Sequence, residues 1–186
     1  YYSKPSQHGI LRHFEEISKI TDLPIMAYNI PGRTSTLIEL ETLQTLVDDI
    51  GIHSIKDAVG DFEFSKKQLE LLKDKGDIYS GNDNQTYDFV INGGVGVVSV
   101  ASHVVGDEIS EMISFAKDND LEKAEEINMQ LSNLFEAIFE EPSPGPIKKI
   151  LSESWEEVGE PLLPITSITP ELANKIRGFY KKIKEN

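Results

Sequence analysis

The sequence predicts an α/β fold, with four βα units carrying a parallel sheet over residues 1–120 and a helical region over residues 121–186. Segments with apolar residues at helical spacing alternate with short apolar runs of strand character. The connections between them are a few residues long, as in βα units. From Leu121 onward the strand-like runs stop.

In chain order, "GILRHFEEISKIT" sets Ile10, Leu11, Phe14 and Ile17 at helical spacing, and "LPIMAYNI" follows as a strand. "IELETLQTLVDDI" reads as a helix and "IHSIKDA" as the next strand. "DFEFSKKQLELLKDK", with Phe64, Leu69 and Leu72, precedes the short strand "DIYSG". "DNQTYDFVING" is helical, and "GVGVVSVAS" is a Gly/Val strand expected to be buried on both faces. "DEISEMISFAKDND" closes the series. Three further helical stretches complete the chain, the last capped by Thr169 ahead of Pro170 at the first helical position.

Composition narrows the function classes. Hydrophobic residues make up 39% and charged residues 27% of the 186, ordinary for a globular protein. A net charge of −14 argues against nucleic acid or an anionic membrane as a partner. The absence of cysteine excludes disulfides, thiolate chemistry and cysteine-based metal sites, and suits a cytoplasmic location. No stretch approaches the roughly 18 apolar residues of a membrane span. His8, His13, His53 and His103 do not fall at metal-ligand spacings, so no metal is expected. Asn82 and Asp83 read as helix-capping residues before "NQTYDFV".

Four strands is an awkward count, because an open four-stranded parallel sheet exposes an unpaired edge on each side. An eight-stranded (β/α)8 TIM barrel has no edges, and four βα units are half of one. Barrel chemistry sits at the C-terminal ends of the strands. Here these ends carry Tyr28, Asn29 and the loop "PGRT", then Lys56 to Asp61, Ser80 to Asp83, and Ser99 to His103. Ser54, Lys56 and Ala58 share one strand face, and His53, Ile55 and Asp57 the other. A lone lysine at a strand end commonly snorkels to water. The alternative is an amine in a desolvated pocket, where the charged form is disfavoured and the neutral amine attacks a carbonyl.

"YNIPGRT", "IKDAVGD", "YSGND", "GGVGVVSV" and "EPSPGPIK", in this order, resemble the dihydrodipicolinate synthase family of class I aldolase-type barrels, over residues 1 to about 166. The likeness begins at the end of what would be the family's fourth strand, so it implies the last four βα units of the barrel and then the C-terminal helices. It implies that Lys56 forms a Schiff base with pyruvate, and that Tyr28 shuttles protons beside it. Tyr2 corresponds to a tyrosine that crosses a tight dimer interface into the neighbour's site, and Arg33 to the arginine that binds the second substrate's carboxylate. Gly81 and Val98 correspond to residues lining the pyruvate pocket, and Tyr1 to one edge of an effector site. The "SPGPIK" run departs from the family's usual asparagine-containing one, which bears on helical packing more than on chemistry.

Arg33 favours a short second substrate with its own carboxylate. The expected activity is that of a 4-hydroxy-tetrahydrodipicolinate synthase, condensing pyruvate with L-aspartate-4-semialdehyde in lysine and diaminopimelate biosynthesis. No cofactor is implied, and the assembly implied is a homodimer or homotetramer. A sialic-acid or 2-keto-3-deoxy sugar-acid aldolase on the same barrel, and a half-barrel acting as a binding or oligomerisation module, are the alternatives. The resemblance also implies that a relay threonine and a carboxylate-binding loop lie in a preceding half. The opening "YYSKPSQHG", without an initiator Met, fits an expectation of a polypeptide of roughly 290 residues.

Overall fold

The computed structural model describes residues 2–185, so Tyr1 and any part it has in an effector site lie outside the described residues. The chain forms two compact units, Tyr1–Val98 and Ser99–Asn186.

The first unit alternates helix and strand. Helix α1 (Gln7–Ser18) is capped by Ser6, whose side chain accepts from the Gly9 N–H. Strand β1 (Met26–Asn29) runs into α2 (Pro31–Thr34), a single helical turn where the sequence reads as a loop. Pro31 at its first position presets φ, and Ser35 ends it in the left-handed region at φ 57°. Helix α3 (Leu40–Thr45) continues into a π-helical turn, Leu46–Ile50, stopped by Gly51 at φ 82°, a conformation glycine adopts without strain. Strand β2 (Ser54–Asp57), α4 (Phe62–Leu71), β3 (Asp77–Ser80), a 3-10 turn (Asp83–Gln85), α5 (Thr86–Ile91) and β4 (Gly96–Val97) follow.

The strands form one sheet in the order β1-β2-β3-β4, every pair parallel. Its two faces differ. Ala27, Ile55 and Ile78 are buried against Leu43, Leu46, Leu69, Leu72 and Phe89 of the helical segments, which make the core of this unit. The opposite face carries Met26 and Tyr28, exposed by 40% and 44%, with Lys56 and Tyr79 half-buried. Parallel sheets are normally covered on both faces, so one face of this sheet lacks the cover its class requires.

Strand β4 corrects the sequence reading. Only Gly96 and Val97 are paired as strand, Val97 is half-buried and Val98 is 38% exposed, so the Gly/Val run is not buried on both faces. β4 is a sheet edge, with Gly96 abreast of Tyr79 on the Lys56 face and Val97 abreast of Ser80 on the core face.

The second unit is all helical: α6 (Ser102–Lys117, kinked at Val105), α7 (Leu121–Ala137), α8 (Gly145–Ser154) and α9 (Pro170–Lys184). α6 packs on α7 and α8, and α9 on the same two, around Met112, Leu131, Phe135, Ile147 and Ile176. The Thr169 hydroxyl caps α9 by accepting from the Leu172 N–H, and it donates to the Glu141 carboxylate at 2.6 Å. Within the "SPGPIK" run, a Cβ on Gly145 would lie 3.1 Å from Ile168, so glycine there permits close packing of α8. Among the described residues no helix is long and apolar enough to cross a membrane.

Candidate active site

Strand pairing puts three chemically active side chains in one row. Tyr28 of β1 is the register partner of Lys56 of β2, and Lys56 that of Tyr79 of β3. Residues abreast in a sheet project from the same face, so all three stand on the open face described above. The Lys56 Nζ lies 4.2 Å from the centre of the Tyr28 ring, within cation–π distance. No carboxylate pairs with this amine among the described residues.

The space around the lysine stem depends on Gly81. Its N–H donates to the Asp57 carbonyl at 2.6 Å. A Cβ there would stand 2.7 Å from the Ala58 Cβ, 2.9 Å from the Asp57 oxygen and 3.0 Å from the Lys56 Cε. No side chain fits without moving the backbone that carries Lys56. Val98 donates its N–H to the Ser80 carbonyl at 2.9 Å, which extends the β3–β4 pairing past the last strand residue.

Arg33 is the third residue of α2, the turn leaving β1. It is exposed, and its guanidinium has no partner among the described residues. A free planar fork beside the row is suited to a ligand carboxylate. Tyr2, ahead of α1, is 89% exposed and is not packed into the row. The structure therefore brings Tyr28, Lys56 and Gly81 together, sets Arg33 on the adjoining loop and Val98 on the β4 edge, and leaves Tyr2 outside.

Two features go beyond the sequence reading. Tyr79 completes the row on the far side of Lys56, and its ring comes 3.9 Å from where a Cβ on Gly96 would sit. Its place directly before "SGND" at a strand end is a signal that could have found it. Asp57, next to Lys56 but on the core face, is 1% exposed. Its Oδ1 accepts from the Val59 N–H at 2.8 Å and its Oδ2 from the Ser65 hydroxyl at 2.9 Å. Burial raises its pKa above the ordinary aspartate value, and those two hydrogen bonds oppose the rise. In the Asn82–Asp83 segment, Asn82 takes the N-cap position without a side-chain cap bond and donates instead to the Gln85 side chain at 2.8 Å. Asp83 is buried. No cluster of three or more His, Cys, Asp or Glu side chains placed to hold a metal ion occurs among the described residues.

A parallel sheet of consecutive βα units, with ionisable side chains gathered toward the C-terminal strand ends, is built as barrel-type enzymes are built. The sequence model of the dihydrodipicolinate synthetase family matches residues 1–183, and the chain belongs to that family. A 4-hydroxy-tetrahydrodipicolinate synthase of Listeria monocytogenes serotype 4b is 36% identical over 185 residues, which are 100% of this chain and 63% of that protein. The crystal structure of dihydrodipicolinate synthase from Thermotoga maritima superimposes with a TM-score of 0.95 at 31% identity, over 99% of this chain and 64% of that one. The chloride-inhibited dihydrodipicolinate synthase from Acinetobacter baumannii complexed with pyruvate gives 0.94 at 30% identity, over 99% and 63%. The chain thus spans somewhat less than two thirds of the length of these relatives.

Proposed function

We propose that residues 1–120 supply the last four βα units of an eight-stranded (β/α) barrel, that residues 121–186 form its C-terminal helical region, and that the whole is a 4-hydroxy-tetrahydrodipicolinate synthase. The uncovered sheet face and the two edge strands support the barrel reading, since four further strands would cover the one and pair the other. The observation that carries the catalytic reading is Lys56, an amine without a carboxylate partner among the described residues, set against Tyr28 at the strand ends.

On this reading the Lys56 amine adds to the ketone carbon of pyruvate, and loss of water leaves an iminium. The iminium draws electrons from the adjacent C–H bond, so the methyl group gives up a proton and becomes an enamine nucleophile. That carbon attacks the aldehyde of L-aspartate-4-semialdehyde. The semialdehyde's amine then displaces Lys56 from the imine carbon, which closes the ring and frees the lysine. Tyr28, whose ring lies beside the amine, carries the protons, Arg33 holds the second substrate's carboxylate, and Gly81 and Val98 line the pyruvate pocket. Tyr2, almost fully exposed here, acts in the site of a partner copy in a homodimer or homotetramer. The short carboxylate-bearing co-substrate is favoured over a sugar acid because Arg33 stands at this strand end with no partner among the described residues. The product serves lysine and diaminopimelate biosynthesis, in the cytoplasm.

Borohydride reduction in the presence of pyruvate, followed by peptide mass mapping, tests the reading. The expected result is one reduced adduct, on Lys56, formed faster when the chain is supplied with the first four βα units of a family member. An adduct on another lysine, or none even in the completed barrel, overturns it.

A further inference from the structure

Behind the row of Tyr28, Lys56 and Tyr79 lies a second row. Asn29, Asp57 and Ser80 are register partners across β1, β2 and β3 and are 0%, 1% and 0% exposed. Each follows a residue of the open face and projects toward the helices, where a polar group is costly unless hydrogen-bonded. Each uses its side chain on the loop leaving its own strand, and Asp57 also on the helix after it. Asp57 takes the Val59 N–H and the Ser65 hydroxyl, and the Ser80 hydroxyl donates to the Asn82 carbonyl at 2.8 Å.

Asn29 reaches furthest. Its Nδ2 donates to the Ile38 carbonyl and its Oδ1 accepts the Ile38 N–H, both at 3.0 Å. This two-bond clamp closes the loop from Ile30 to Leu37, whose α2 turn carries Arg33. Gln7 fastens the same segment from outside, donating to the Leu37 carbonyl at 2.8 Å and accepting the Glu39 N–H at 3.1 Å. The backbone carbonyl of Asn29 meanwhile accepts the Ala58 N–H at 2.9 Å, two residues beyond Lys56. One residue is therefore bonded on one side to the arginine loop and on the other to the lysine loop.

We propose that Asn29 is a positioning residue that fixes the separation between the Arg33 guanidinium and the Lys56 amine, and so sets the length of co-substrate the site accepts. The proposal rests on the reading of Arg33 as a carboxylate clamp. In a merely structural role, Asn29 would stabilise the core without regard to Arg33.

Asn29→Ser and Asn29→Asp separate the two. In the 186-residue chain, Asn29→Ser should speed hydrogen exchange at Ile38 and at the Thr34 and Ser35 amides by about tenfold or more, with Leu43 and Ile55 unchanged. Asn29→Asp, which still accepts from Ile38 but cannot donate, should fall between. In the completed barrel, Asn29→Ser should raise the half-saturating concentration of aspartate-semialdehyde about tenfold with little change for pyruvate, and should have no further effect once Arg33 is alanine. Exchange that rises equally throughout the first unit overturns the proposal, as does simple additivity of the Asn29→Ser and Arg33→Ala effects. Should the wild type form no pyruvate adduct, the functional reading fails, and the exchange pattern still decides whether Asn29 clamps the loop.

Discussion

The amine of Lys56 stands 4.2 Å from the centre of the Tyr28 ring, and the two residues are partners in the β1–β2 register. Contact and pairing are one fact seen twice. Parallel register puts the side chains abreast on one face, and β1 and β2 hold them there without help from any loop. The ring covers one side of the amine with an apolar surface and brings a phenol close to the nitrogen.

Lys56→Ala should abolish the borohydride-trapped pyruvate adduct. The half-buried side chain contributes little to the core, so circular dichroism and the melting temperature should stay near those of the wild type. A variant that still gives an adduct elsewhere removes Lys56 from its assigned role.

Arg33→Ala should weaken the apparent affinity for aspartate-semialdehyde far more than that for pyruvate. Loss of a charge-assisted bidentate contact corresponds to roughly 1.5–3 kcal/mol, about ten- to a hundredfold. Steady-state titration of each substrate checks this, and equal effects would assign the arginine to holding its own loop.

Gly81→Ala introduces a methyl group 2.7 Å from the Ala58 Cβ and 3.0 Å from the Lys56 Cε. Strand β2 or the lysine stem must shift, at a cost of about 1–3 kcal/mol for an overpacked site. Thermal unfolding should show that loss, and adduct formation should slow. A variant with wild-type stability and adduct rate would refute the close approach as a constraint.

Asp57 gives a pH signature. Burial lifts its pKa in the folded chain above the ordinary 3.8. An acid bound to its proton more tightly when folded stabilises the fold below its unfolded pKa and loses that contribution as pH rises through the folded value. Asp57→Asn should keep the acceptor for the Val59 N–H and remove this dependence. Denaturant unfolding of both proteins from pH 3 upward should show curves that separate above about pH 4. Parallel curves would contradict the assignment.

Glu153 shows the opposite sign. Two bonds from Arg177, at 2.7 and 2.8 Å, and then Lys149, lower its pKa from 4.5 to about 2. Its contribution is present above pH 4.5 and is lost as pH falls toward 2. Glu153→Gln should therefore be less stable than wild type at neutral pH, with the gap closing in acid. A gap independent of pH would show that packing, not charge, makes the difference.

What the sequence determined by itself is the order of elements, because their signals are local. The period of the apolar residues marks α1, α4 and α7, Thr169–Pro170 marks the start of α9, and "YNIPGRT" and "IKDAVGD" mark the strand ends and the family. Local signals also misled where burial depends on neighbours. The Gly/Val composition of β4 suits a strand covered on both faces, yet an edge strand beside an open face cannot be one. Only the tertiary structure decided which polar residues act together. Asn29 and Ile38, or Gly81 and Lys56, are separated along the chain by nine residues or more, and no periodicity links them. Their relation is set by parallel register and by how each loop folds back on its strand, which are properties of packed elements and not of any one segment. The sequence could say that Lys56 sits at a strand end. That Tyr28 lies against it, and that Gly81 makes room for its stem, required the sheet.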